Sequence, residues 1–248
     1  MRKIFKRTLI VLGVLVGMLA IAGLGGWLYI KSTFLTFEKD YSENRNLREI
    51  TIDGYTFPDR NGNGKLDIYE DDRRSVEERA EDLLSQMTLE EKIHLLKGSG
   101  MASAVGMVEE GEGIRGAAGL IVPTPRLGIP TVYLSDGPAG LRIEPLRKGE
   151  ERTYYCTAFP IGTLLSSTWN VDLVQSVGQA MGNEALEYGI DVILAPGANI
   201  HRHPLCGRNF EYYSEDPVLT GNIGAAMVNG IESNGVGTSV KHFAANNQ

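Results

Sequence analysis

The sequence of 248 residues is 42% hydrophobic and 22% charged, which fits a globular chain with room for one large domain and excludes a disordered tail. Its net charge of −7 argues against a nucleic-acid partner, because affinity for a phosphate backbone comes from clustered Lys and Arg. The 30 glycines and 10 prolines lie between apolar runs and punctuate turns instead of forming low-complexity tracts.

The first element is apolar throughout. Thr8 to Ile30 carries no charge and as a helix spans about 30 Å of hydrocarbon. Arg2, Lys3, Lys6 and Arg7 precede it and Lys31 follows. The positive-inside rule therefore predicts a cytoplasmic basic stub, a membrane anchor through residues 8–30 and an extracytoplasmic body. A cleaved signal peptide is the alternative, since Ala20 and Ala22 form an A-x-A element, but the apolar run is longer than a usual signal core. Cys156 and Cys206 are far apart in sequence and read as two separate thiols, not a disulfide framework.

Residues 32–53 are polar and weakly patterned and read as a stalk, followed by an irregular lead-in over 54–74. Within that lead-in, Asp59, Asn61, Asn63, Gly64, Lys65, Asp67 and Glu70 match the twelve-residue EF-hand loop, with Lys65 at the position that offers a backbone carbonyl. One reading is a structural calcium ion held by Asp59, Asn61, Asn63, Lys65, Asp67 and Glu70. The other is an Asx-rich turn, since Pro58 precedes the loop and no amphipathic helix leads into it.

Ser75 and Glu78 form a capping box ahead of Val76, Ala80, Leu83, Leu84 and Met87 at helical spacing. Thr88 and Glu91 repeat the signal for a second, short helix that ends near Gly98. Alternating units follow: an apolar run at Ile129–Leu134, a helical period over Val171–Tyr188, and a run at Ile190–Ala195. A helix starting at Asp216-Pro217 and a run at Thr238–Val240 complete them. Strand and helix in alternation predict an α/β fold with a parallel sheet.

Each predicted strand ends in a polar cluster: Ser135 to Pro138, Asn199 to Arg208, and Lys241-His242. Carboxyl ends of parallel strands are where such folds build their sites. Singly, Asp136 could cap a turn, Arg208 could pair with Glu211 and Lys241 could be a solvated charge. Together they suggest one pocket in which a carboxylate accepts hydrogen bonds from hydroxyls while Arg, Lys and His donate, a chemistry suited to a sugar. No G-x-x-x-x-G-K-[ST] loop is present, and no G-x-G-x-x-G follows a predicted strand.

The motifs M-T-L-E-E-K (Met87 to Lys92), S-D-G-P (Ser135 to Pro138), G-R-N-F-E-Y-Y-S-E-D-P (Gly207 to Pro217) and K-H-F-A-A-N-N-Q (Lys241 to Gln248) resemble, in order, those of family 3 glycoside hydrolases. The resemblance runs over roughly Ile50 to Gln248. It implies a (β/α)8 first domain whose pocket holds the terminal glycosyl residue of a β-glucoside. Asp136 resembles the family's hydroxyl-binding aspartate, Arg208 its sugar-binding arginine, and Lys241 with His242 its adjacent sugar-binding pair. Arg142 and Arg202 are weaker counterparts that also suit structural ion pairs. Ala244 to Asn247 stand where the N-acetylglucosaminidase branch has P-G-H-G, which points to the glucosidase and xylosidase side.

Retaining glycosidases need two carboxyl groups about 5–5.5 Å apart, and the family's nucleophile lies in an S-D-W type motif downstream of K-H-F. No catalytic residue is therefore assigned, and no cofactor is required for the chemistry. The expectation is an incomplete TIM-like (β/α)8 barrel over 75–248, preceded by a transmembrane helix, inactive alone and completed by a C-terminal polypeptide. A non-catalytic, membrane-anchored sugar-binding or scaffold protein is the second reading, because it would share every one of these motifs.

Overall fold

The structure is a computed structural model that describes residues 2–30, 47–96, 98, 118–146 and 151–246. Lys31, the stalk over 32–46, and Asn247 and Gln248 of the last motif lie outside the described residues. The chain forms two compact units, Met1–Ser42 and Glu43–Gln248. The first contains α1 (Arg2–Ile30), a single helix. Its segment Ile10–Ile30 is long and apolar enough to cross a membrane.

The second unit opens with a correction. Where polar composition predicts a stalk and an irregular lead-in, β1 (Arg48–Ile52) and β2 (Tyr55–Asp59) form an antiparallel hairpin with Ile50 opposite Phe57. Asp53 and Gly54 make the turn with positive φ angles of 54° and 83°, as a two-residue hairpin loop requires. Phe57 is buried, and the Arg73 guanidinium lies over the Tyr55 and Phe57 rings at 5.2 and 4.7 Å.

The loop that follows leads into a short 3₁₀ turn at Ile68–Glu70. Two hydrogen bonds hold this region against the body, from Tyr69 Oη to the Leu127 carbonyl (3.2 Å) and from Arg60 Nη1 to the Gly128 carbonyl (3.2 Å). Helix α2 (Val76–Gln86) starts at the expected capping box, Ser75 Oγ accepting from the Glu78 N–H and Glu78 Oε2 from the Ser75 N–H. Thr88 and Glu91 bond the same way at α3 (Leu89–Leu96). The apolar stripe of both helices, however, is not buried. Arg126, bidentate on Glu91, holds α3 to the body.

The main sheet has the order β3 (Gly119–Ile121), β4 (Val132–Asp136), β5 (Val192–Leu194), β6 (Gly237–Thr238). Strands β4, β5 and β6 are parallel, as the alternating pattern predicts. Strand β3 is not: it pairs antiparallel with β4, Leu120 facing Tyr133. The connection between them is short and tight, with Thr124 bridging to Ile129. Such a connection can only return the chain antiparallel, because a parallel return needs a long crossover.

Three further helices, α4 (Gly162–Ser166), α5 (Val171–Tyr188) and α6 (Pro217–Glu232), complete the unit. Asn170 caps α5 through the Leu173 N–H, and Asp216 caps α6 through the Val218 N–H with Pro217 at the first helical position. The core joins the inner faces of α5 and α6 to Ile193 and Ala195, with Val174, Met181, Ala185, Ile223, Met227 and Ile231 among its buried members. Val192 and Leu194, on the other side of β5, are only half-buried.

Helices α5 and α6 touch backbone to backbone. A Cβ at Gly230 would stand 2.3 Å from the Gln175 carbonyl oxygen and 2.9 Å from the Gly178 Cα. Backbone cannot yield as a flexible side chain can. Gly230→Ala is therefore expected to destabilise the fold by about 2 kcal/mol despite a gain of about 1 kcal/mol in helix propensity. Gly221→Ala on the same helix, with nothing within 4 Å, is expected to stabilise by about 0.5–1 kcal/mol. Urea unfolding of the two variants checks the contrast.

Candidate functional site

The site forms at the carboxyl end of the parallel strands. Strand β4 delivers Asp136, and the chain turns sharply after it. Gly137, at φ 144°, packs so closely that a Cβ would meet the Gly140 carbonyl oxygen at 1.7 Å. No other residue fits there. The turn brings the Arg142 N–H back to the Asp136 carbonyl at 3.1 Å and its guanidinium to 3.8 Å from Asp136 Oδ2.

Beyond the last residue of β6 the parallel ladder continues as a bridge between Gly197 and Lys241. The Lys241 N–H donates to the Pro196 carbonyl (2.9 Å), and the Ala198 N–H donates to the Lys241 carbonyl (2.8 Å). These bonds fix the Lys241 backbone. Its Nζ donates to Asp136 Oδ1 at 2.5 Å, a charge-assisted contact in a partly buried setting. Burial works to raise the Asp136 carboxyl, but the Lys241 hydrogen bond and the Lys241 and Arg142 charges outweigh it and hold it below its ordinary value.

His242 is clamped from two sides. Asn199 Oδ1 accepts from the His242 N–H (2.7 Å), and Asn199 Nδ2 donates to the His242 carbonyl (3.1 Å). On the other side the hydroxyl of Tyr212, a fully buried residue, accepts from Asn246 Nδ2 at 2.7 Å and lies 3.1 Å from His242 Nδ1. Asn199 Oδ1, which can only accept, also lies 3.4 Å from Nδ1, so the ring nitrogen faces a hydroxyl that can donate to it and an amide oxygen that can accept from it. Burial lowers the His242 pKa, and the Arg208 and Lys241 charges lower it further against Glu211 and Asp136. All four charged groups thus act on one imidazole.

Arg208 starts the 3₁₀ turn Asn209–Glu211 and ion-pairs through Nε with the buried Glu211 carboxylate. That pair raises the Arg208 pKa. The two readings of Arg208 are therefore compatible: one edge of the guanidinium holds Glu211, and the side chain is still 45% exposed.

The structure thus gathers Asp136, Lys241, His242 and Arg208 in one neighbourhood and adds Arg142. Arg202 is exposed on the connection after β5. His201 Nε2 faces the Tyr212 carbonyl, and His203 Nδ1 accepts from the Leu205 N–H. No disulfide joins Cys156 and Cys206. Tyr212, Asn199 and Asn246 are the residues that sequence reasoning does not single out. Tyr212 and Asn246 lie inside quoted motifs, but only burial and the bond to His242 reveal their work.

The sequence profile described as "Glycosyl hydrolase family 3 N terminal domain" matches residues 103–248, more than half of the chain. The chain belongs to glycosyl hydrolase family 3. It is 45% identical over 171 residues to Beta-glucosidase A of Butyrivibrio fibrisolvens, covering 68% of this chain and 18% of that protein. To Thermostable beta-glucosidase B of Acetivibrio thermocellus it is 41% identical over 171 residues, 67% of this chain and 20% of the other. Among solved structures, beta-glucosidase 3B from Thermotoga neapolitana in complex with α-D-glucose matches with a TM-score of 0.65 at 55% identity. That match covers 68% of this chain and 24% of the other. The family 3 chain described here spans about a fifth of the length of the curated relatives it matches.

Because the His242 pKa is lowered on folding, the folded chain keeps the imidazole neutral where the unfolded chain begins to take up a proton. Its contribution to stability is complete above the ordinary histidine value of about 6.5 and is lost as pH falls from there through the folded value. Denaturation midpoints measured across acidic pH are expected to fall less steeply for His242→Gln than for the natural chain.

Proposed function

We propose that this family 3 chain is the sugar-binding part of an exo-acting β-glucosidase, its four-stranded sheet forming a section of a (β/α)8 barrel wall. The observation that carries the reading is the convergence of Asp136, Lys241, His242 and Arg208 at the carboxyl ends of strands far apart in sequence. The glucose complex of the Thermotoga relative supports a glucoside as substrate.

In this reading the ionised Asp136 accepts from a pair of sugar hydroxyls while Lys241, Arg208 and His242 donate to others. Such bonds orient the ring and strengthen as charge develops at the anomeric carbon, contributions worth several kcal/mol in this reaction class. Lys241 and Arg208 hold the Asp136 and Glu211 carboxylates. Double displacement requires two carboxyl groups, and neither role is assigned to a residue of this chain. The apolar helix Ile10–Ile30 anchors the enzyme in a membrane. The basic residues before it keep the sugar-binding body on the extracytoplasmic side.

Glucose binding by the detergent-solubilised chain, measured by saturation-transfer NMR, tests the assignment. Asp136→Asn is expected to weaken it about tenfold or more, because each hydrogen bond to a charged partner contributes about 1.5–3 kcal/mol. Lys241→Met should have a similar effect. Unchanged binding in Asp136→Asn would remove the proposal.

A further inference from the structure

The loop between β2 and the 3₁₀ turn at Ile68–Glu70 has no part in the sugar site, yet it buries charge. Asp59 and Glu70 are 3% and 2% exposed. Among the described residues, neither they nor Asp67 has an ion-pair partner. The nearby ion pairs of Arg73 and Arg74 go to Asp71 and Glu78, and Arg60 gives Nη1 to the Gly128 carbonyl. A carboxylate taken out of water without a counter-charge is strongly disfavoured.

The Asp59 carboxylate is turned into the loop, where its Oδ2 accepts from the Gly64 N–H at 3.0 Å. Its second oxygen, Oδ1, is buried with no hydrogen-bond partner. Across the loop, the side-chain amides of Asn61 and Asn63 converge on a single oxygen, Asp67 Oδ2, at 2.6 and 2.7 Å. A half-turn of each amide puts an oxygen where the nitrogen stands, in exchange for the bonds that the Asn61 and Asn63 oxygens now accept from the Asn63 and Lys65 N–H groups (3.1 and 2.7 Å). Gly62 and Gly64 hold the positive φ angles, 71° and 74°, that coil the backbone around these groups.

We propose that residues 59–70 bind one calcium ion through Asp59, Asn61, Asn63, the Lys65 carbonyl, Asp67 and Glu70, with Asp59 Oδ1 as the oxygen left for it. Three side chains of the His, Cys, Asp and Glu types do not stand together at metal-holding distance anywhere among the described residues. The site is accordingly a mixed one, in which the amides and a carbonyl complete the shell. Glu70, whose oxygens now accept from the Arg60 N–H (2.6 Å) and the Asp67 N–H (3.0 Å), turns inward to close it. Calcium is favoured over magnesium because it accepts six to eight oxygens in a flexible geometry. Since Arg60 and Tyr69 bond to the 127–128 backbone, the ion would clamp the hairpin to the body, a structural role and not a switch.

The test is calorimetric titration of the chelator-treated, detergent-solubilised full chain with calcium and, separately, magnesium. One saturable calcium site with weaker magnesium binding is expected, together with a higher unfolding temperature in calcium. Asp59→Asn should weaken calcium binding roughly tenfold or more. Asn63→Ala, on the exposed rim, should also weaken it and should shrink the rise in unfolding temperature that calcium gives. The proposal is overturned if no heat develops up to about 1 mM calcium, if magnesium binds as tightly, or if Asp59→Asn binds calcium like the natural chain. Glucose binding followed in the same samples separates this site from the sugar site, since failure of one leaves the other intact.

Discussion

The parallel pairing of β4, β5 and β6 is the constraint on which the candidate site depends. Parallel strands share a direction, so their carboxyl ends lie along one rim. The register that sets Asp136 beside Leu194 and Gly197 beside Lys241 decides which side chains meet there. A slip of one residue would turn Asp136 to the opposite face of the sheet. Register is held in turn by the burial of Ile193 and Ser135 on one face. The backbone contact of α5 with α6 closes the core over that face.

The polar groups at the rim are organised by one buried aromatic. Tyr212 carries no charge and lies fully inside the fold, yet its hydroxyl joins Asn246 to His242 and its carbonyl meets His201. A buried hydroxyl must find partners, and meeting that requirement holds the His242 imidazole in place. Asn199 does the same for the backbone of His242. The groups that would touch a sugar are thus positioned by neighbours that would not.

Much of this was legible in the residues, and the exceptions have physical causes. Capping boxes at Ser75 and Thr88, the Asp216-Pro217 start and the Val171–Tyr188 period are local signals, and the corresponding helices form. The exposure of the α2 and α3 stripe is not legible, because amphipathic spacing says that a face is apolar and not what covers it. Strand β3 escaped notice because Gly119–Ile121 is too short for any period to show. The hairpin at 48–59 did leave a signal, Asp53-Gly54 between alternating apolar positions, but charged and hydroxyl residues around it resemble a linker. The strand-end rule singles out Asp136, Arg208, Lys241 and His242, which the structure brings near one another. Tyr212 stayed hidden, since an aromatic in a helical approach reads as core whether or not its hydroxyl has work to do.

The contact between Lys241 and Asp136 joins residues 105 positions apart. Closing a loop of that length is entropically unfavourable, and nothing in a single ion pair offsets it; the helices packed in between must do so. The Lys241 and Asp136 ends therefore stay together only while α5 and α6 are docked and the ladder reaches Gly197. Loosening the helix contact at Gly230, remote from any sugar, would blur the pocket as surely as removing one of its charges. Fidelity of recognition and completeness of folding are here the same property.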